Sequence, residues 1–273
     1  MAGQNSINTN VGALVALRNL AATNVELGMV QDHVSTGLRV NAKNNASNFA
    51  IAQGIRGDIK ATSAVQQGLS QGKGIASVAL SGATEVSELL KDVKAKIVEG
   101  MNPANTSEQQ TILNADYAEL VKQVLNFIQQ AEYNGRNMLK SGSTTINVIA
   151  DISGGTLRVR SQDLEGTAYS QLNAQNLANV TAASAALTQV NTVINTVNTA
   201  LGQLSADNRA LDLQDSFLTS ISDALEEGLG ALVDADLAKE SARLQALQVK
   251  QQLAVQTLSI ANSSPQILLG LFS

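Results

Sequence analysis

The sequence predicts a mainly α-helical protein: a long antiparallel bundle or coiled coil built from both chain ends, with a small β-hairpin region in the middle. Three observations carry that expectation. Apolar residues recur at steps of three, four and seven through both ends of the chain. Proline occurs only twice in 273 residues, so little interrupts a helix. Hydrophobic residues make up 44% but aromatics only 3%, with no tryptophan, so Ala, Val, Leu and Ile must fill the core, which suits helices laid side by side.

The first helix is expected over 11–38. Ala13, Leu20, Leu27 and Val34 recur every seven residues, with Leu17 and Leu38 on the adjacent row. Asn24 and Gln31 share that row, so the seam is wetter than a leucine zipper. The Asn- and Gly-rich stretch 41–57 predicts a turn. Helix returns from Asp58 to about Glu99, with Val86, Leu89, Leu90, Val93 and Ile97 on one face, and Gly100 to Pro103 breaks it. Ser107 with Gln110 reads as a capping box opening a third helix. Its stripe is Leu113, Tyr117, Leu120, Val124 and Ile128, and Asn134-Gly135 reads as its stop.

Residues 145–149 and 156–160 alternate around Ser153-Gly154-Gly155, the pattern of a β-hairpin within a central region at 143–182. From about 183 helix resumes on Leu187, Val190, Ile194, Val197, Leu201 and Leu204. Leu211, Leu218, Leu225 and Leu232 then recur every seven residues. A last helix, roughly 236–261, places Leu237, Leu244 and Leu258 on one row, with Leu247, Ala254 and Ala261 beside it. Val249, Leu253 and Ile260 form a second stripe, and a helix with two apolar faces needs two partners. Pro265 is expected to end this helix, leaving an apolar tail that includes Leu268 and Leu269. No internal repeat and no Pro/Ser-rich linker divides the chain into independent domains.

Composition narrows the function classes. A net charge of −5 argues against nucleic-acid binding, which needs clustered Lys and Arg. No run of about 18 apolar residues would span a membrane. Met1 to Asn10 shows no basic-then-apolar signal, and there is no cysteine, hence no disulfide or thiolate chemistry. The single histidine, His33, sits inside the first helix and reads as an interfacial residue rather than a catalytic base. Asp234 and Asp236 read as helix-start acids that offset the dipole. Gly72-Lys73-Gly74 lacks the spacing of a phosphate-binding loop. No catalytic, metal or cofactor constellation emerges. The stripes at 107–131 and 187–204 are one-sided and read as core. Those at the two ends exceed what one pair of helices buries, which points to a polymer subunit.

Several segments resemble bacterial flagellin. Ser6-Ile7-Asn8-Thr9-Asn10 is similar to its INTN start, and Val34 to Asn41 (VSTGLRVN) to its LSSGLRIN segment, with Phe49-Ala50-Ile51-Ala52 as the AIA continuation. Glu132 to Leu139 (EYNGRNML) resembles QFNGxxLL. Asp234 to Ser241 (DADLAKES) resembles DADYAxE, and Pro265 to Leu269 (PQILL) the PQNVLxLL tail. The resemblance covers about 1–140 and 180–273, in order.

It implies a self-assembling subunit of the flagellar filament. Residues 1–40 and 235–273 would form a terminal helical coil domain at the filament core, disordered in the free monomer and folding on joining. Residues 41–234 would form a rod domain. The core contacts would fall on Leu17, Leu20, Leu27, Val34, Leu38, Leu237, Leu244, Leu247, Leu253, Leu258, Leu268 and Leu269. Gly154 and Gly155 would mark a hairpin involved in switching filament shape. Implied partners are further copies of the chain, hook-junction and filament-cap proteins, and an export chaperone at the carboxyl helix. Export would run unfolded through a type III apparatus to the cell exterior.

The alternative of a hook–filament junction protein shares these terminal helices. About forty residues join the two halves where many members carry large outer domains, so this is a short form. Asp92 stands where the family's receptor-binding segment has Arg, so that immune contact is not carried over. His33 occupies a place often held by Arg or Lys. Some members are glycosylated on Ser or Thr, but nothing selects among the acceptors here.

Overall fold

A computed structural model describes the backbone of residues 9–271 and the side chains of residues 9–263. The INTN start at Ser6 to Asn8 and the side chains of Leu268 and Leu269 lie outside these described residues. The elements are α1 (Val11–Thr36), α2 (Ala46–Gly100), α3 (Ser107–Gln130), β1 (Glu132–Tyr133), β2 (Arg136–Asn137), β3 (Ile146–Ile149), β4 (Thr156–Val159), a π-helical turn (Glu165–Tyr169), α4 (Ser170–Asn173), α5 (Val180–Val233) and α6 (Leu237–Leu271). Among the described residues the fold is mainly helical with the β3–β4 hairpin in the middle, as the sequence predicts, and with a second small antiparallel pair, β1–β2, that it does not. It divides into two compact units, Asp58–Ala224 and a terminal unit made of Met1–Gly57 with Leu225–Ser273.

In the middle unit the stripes meet inside one core. Val86, Leu90, Val93 and Ile97 of α2, Val124 and Ile128 of α3, and Val190, Val197 and Leu204 of α5 are all fully buried in a single cluster. Of the third helix's stripe, Tyr117, Val124 and Ile128 are buried there and Leu113 and Leu120 are half-buried, while Val121, which the stripe omitted, is buried as well. Alanines at 76, 79, 83, 183 and 186 share the same core and let helices approach closely without aromatic bulk.

The β-hairpin pairs Ile146 with Val159 and Ile149 with Thr156, so Val148 and Val159 point into the core. Close approach is possible because α2 carries glycine where the strands arrive: a Cβ on Gly72 would collide with Val148, and one on Gly74 with Tyr133. The Gly-Lys-Gly triplet is therefore a packing notch.

Polar locks tie the pieces. Asp207, 6% exposed, accepts from the Arg160 backbone N–H and from its guanidinium on both oxygens. Lys73 bridges Asp212 (2.8 Å) and Asp215 (3.3 Å), linking α2 to α5. Its ammonium is held above the usual lysine value, chiefly by the hydrogen bond to Asp212.

Four local expectations need correction. The turn at 41–57 is confined to 41–45, because Asn41 Oδ1 accepts from the Lys43 and Asn44 N–H groups and Asn45 Oδ1 accepts from Asn48 N–H. Helix then starts at Ala46. The capping box is Thr106 with Gln109, one residue earlier than Ser107 with Gln110. Gln110 instead turns inward, and its Nε2 donates to the carbonyls of Gly100 (2.9 Å) and Leu177 (2.6 Å).

Asn134-Gly135 does not stop a helix. With φ of 48° and 75° it forms the two-residue turn between β1 and β2, a conformation whose twist suits a tight hairpin. The α3 end is capped by Asn137, whose Nδ2 donates to the Ile128 carbonyl. Finally, α6 does not end at Pro265 but runs on to Leu271.

Candidate assembly interface

The terminal unit is built on α1 and α6, which run antiparallel. Residues early in α1 meet residues late in α6. Asn10 Nδ2 donates to the Ala261 carbonyl (2.7 Å), Gln251 Nε2 to Asn24 Oδ1 (2.7 Å) and Arg243 Nη2 to Glu26 Oε1 (2.7 Å). Near the α6 start, His33 faces Glu240.

The chain between and beyond these helices closes the end of the pair. Gly37, with φ of 71°, ends α1 in a left-handed cap, and Leu38 then pairs with Asp234 in an antiparallel bridge. Arg39 N–H donates to the Val233 carbonyl and Ala235 N–H to that of Gly37. The Asp236 carboxylate accepts from the backbone N–H of Lys239 at 3.0 Å, and so acts as the helix-start acid expected of it. Asp234 is used differently, through its backbone, in the bridge.

The predicted interface residues divide into two sets. Leu27 and Leu247 are buried together with Val30, with Val34 and Leu244 half-buried against them. Leu38 packs half-buried on a second cluster of Val40, Ala52 and Val233. Leu20 and Leu258 are also half-buried. Leu17, Leu237 and Leu253 face outward, each at least half exposed.

Around that outward set lie Val11, Leu14, Val15 and Val25 of α1 and Val249, Val255 and Ile260 of α6, the last 71% exposed. The second α6 stripe read from the sequence is thus uncovered within the chain. Sequence reasoning missed the row Ala16, Thr23 and Val30, all buried. Its seven-residue spacing was visible, but Ala and Thr hide it among more hydrophobic neighbours.

Exposed apolar side chains in such number are stabilised when they are buried against another apolar surface. Among the described residues no helix is long and apolar enough to cross a membrane. No group of three or more His, Cys, Asp or Glu side chains among the described residues is placed to hold a metal ion.

Known proteins resemble this chain along almost its whole length. The bacterial flagellin N-terminal helical region matches residues 7–145, and the bacterial flagellin C-terminal helical region matches residues 185–272. A flagellin of Brucella melitensis is 39% identical over 98% of this chain and 99% of its own length. Flagellin FljO of Caulobacter vibrioides is 35% identical over 98% of both chains. Among solved structures, one described as a putative flagellar hook-associated protein from Vibrio parahaemolyticus superposes with a TM-score of 0.58 at 12% identity, covering 70% of this chain and all of that one. That last likeness speaks to the fold alone. With both helical regions matched and relatives similar along almost their whole length, the chain belongs to the bacterial flagellins, the structural subunits of the flagellar filament.

Proposed function

We propose that the terminal coil, residues 1–40 with 235–273, is the filament core and that neighbouring subunits bury the outward rows of α1 and α6. The observation that carries this reading is the set of apolar side chains from Val11 to Val25 and from Val249 to Ile260 that the chain itself leaves uncovered. Helices with unmet apolar faces gain stability from partners, so assembly and ordering of the ends are coupled. Of the predicted contact residues, Leu17, Leu237 and Leu253 meet the neighbouring subunit, while Leu27, Val34, Leu244 and Leu247 hold the coil together. Leu20, Leu38 and Leu258 lie between these roles.

The role is mechanical and without catalysis. The sole histidine faces a carboxylate in the coil rather than a nucleophile. Residues 41–234 act as the rod, and the β3–β4 hairpin takes part in switching filament shape between packings a few kcal/mol apart. Its loop is sensitive to substitution: Gly154 has φ of 91°, and a Cβ on Gly155 would run into the Asp151 carboxylate, which accepts from the N–H groups of Ser153 and Gly155. Filaments carrying Gly154→Ala and Gly155→Ala are expected to change waveform. Hook-junction and cap proteins meet the same coil at the filament's two ends. An export chaperone holds the carboxyl helix before type III secretion to the cell exterior.

The test is electron microscopy of protein salted out on short filament seeds, beside a form lacking 1–40 and 235–273. Long tubes from the full chain and none from the truncation support the reading. Full-length protein that stays monomeric on competent seeds overturns it.

A further inference from the structure

Among the described residues, the buried side-chain atoms left without a hydrogen-bond partner are both ring nitrogens of His33 and Oε2 of Glu240. They face each other across the coil. His33 Nδ1 of α1 stands 3.6 Å from Glu240 Oε2 of α6, and the two side chains are 13% and 11% exposed. That distance is too long for a hydrogen bond but within ion-pair range once the ring carries a proton. The other polar cross-pairs described on this seam are already satisfied: Asn10 with Ala261, Asn24 with Gln251, Glu26 with Arg243.

The surrounding charges do not relieve Glu240. Arg243, one turn along α6, is held by Glu26. Asp236, one turn back, accepts from Lys239 N–H, and its carbonyl accepts from Glu240 N–H. Asp32, beside His33 on α1, is exposed. Arg39, just beyond α1, donates to the Leu232 carbonyl. Glu240 is left with the imidazole as its one facing partner among the described residues.

We propose that His33 and Glu240 form a protonation-set latch in the α1–α6 coil, engaged when the ring takes up a proton and slack when it releases it. A buried carboxylate oxygen without a donor is costly, and an imidazolium supplies a charge-assisted donor that needs only a small side-chain rotation to close the gap. A neutral ring offers at best an ordinary hydrogen bond. Imidazole is the side chain whose ordinary charge change falls between about pH 5 and 8, so filaments at the two ends of that range test the latch. The stabilisation is present while the ring holds its proton and lost when the ring releases it. The latch rests on the reading that α1 and α6 pair within the filament.

The experiment follows disassembly of preformed filaments by sedimentation at about pH 5.5 and about pH 8, for wild type, His33→Gln, Glu240→Gln and the double variant. Wild-type filaments are expected to disassemble roughly tenfold more slowly at the lower pH than at the higher. Each single variant loses that gain, and the double variant is no worse than either single one. His33→Lys, a fixed cation across this range, is expected to resemble acid wild type at both pH values, and it decides the matter if His33→Gln fails to assemble. A pH response that survives in His33→Gln or His33→Lys, or single effects that add independently, overturns the latch. Wild-type chain that forms no filament on competent seeds overturns the filament-core reading instead.

Discussion

The middle unit and the terminal unit are made from the same few residue types, yet they dispose of them differently. In the middle unit the rows of α2, α3 and α5 close on one another, and Val86, Leu90, Ile97, Ile128 and Leu204 reach full burial. In the terminal unit α1 packs along α6, and among the described residues apolar rows on both helices stay exposed. Leu27 and Leu247 are buried, while Leu253 and Ile260, farther along α6, face outward. The difference teaches that apolar periodicity counts faces, not partners: a second stripe is a statement about assembly.

That contrast can be broken by substitution. The largest effect is expected from Leu253→Asp with Ile260→Asp. This pair should abolish sedimentable filament while shifting monomer stability by about 0.5 kcal/mol or less, because both sites are already exposed. Normal polymerisation of that variant would remove the distinction between the units.

Leu90→Ala should do the reverse, lowering monomer stability in thermal unfolding by about 2–5 kcal/mol through lost burial and a residual cavity. A comparable loss from Leu253→Ala would show the terminal rows to be core. Next in size, Asp207→Ala should cost about 1–3 kcal/mol, since it strips the acceptor from the Arg160 backbone N–H as well as from its guanidinium.

Tyr117→Phe should cost about 1 kcal/mol by leaving the Leu172 carbonyl without its donor. It carries a pH signature as well. Burial pushes the Tyr117 phenol up to about 12, above the ordinary value near 10 of the unfolded chain. Below about pH 10 its contribution is complete, and between about 10 and 12 it is lost as the unfolded state releases its proton first. The variant should therefore show a shallower alkaline fall in denaturant midpoint, and an unchanged slope would reassign that limb. Smallest is Lys73→Met, expected to cost under about 1 kcal/mol because the triad with Asp212 and Asp215 is partly open to solvent.

Much of this was legible in the chain. The 3–4 steps of Leu113, Tyr117, Leu120, Val124 and Ile128 placed α3 and, through Tyr117, Val124 and Ile128, the direction of its buried face, since helix geometry turns spacing into direction. Alternation around Ser153-Gly154-Gly155 placed the β3–β4 hairpin. Terminators were harder to read. Asn-Gly suits a left-handed helix stop and a two-residue hairpin turn equally well, and only the arrival of β2 against β1 selected the second at 134–135.

Gln110 shows the same limit. Its spacing from Ser107 fits a capping box, but the carbonyls of Gly100 and Leu177, one of them 67 positions away, made a better use of its amide. Partners that remote leave no local trace. The heptad through Ala16, Thr23 and Val30 was present in the sequence but weak, because small residues are buried by what approaches them and not by their own hydrophobicity.

The helical class, the β3–β4 hairpin, the two-faced ends and the kinship with flagellins can be read from the chain alone, because all of these depend on local period and short motifs. Only the tertiary structure decided which apolar row α6 spends on α1 and which it leaves outward, that Gly72 and Gly74 are packing notches, and that His33 meets Glu240. Those outcomes depend on distances between residues far apart in the chain, and no local spacing encodes them.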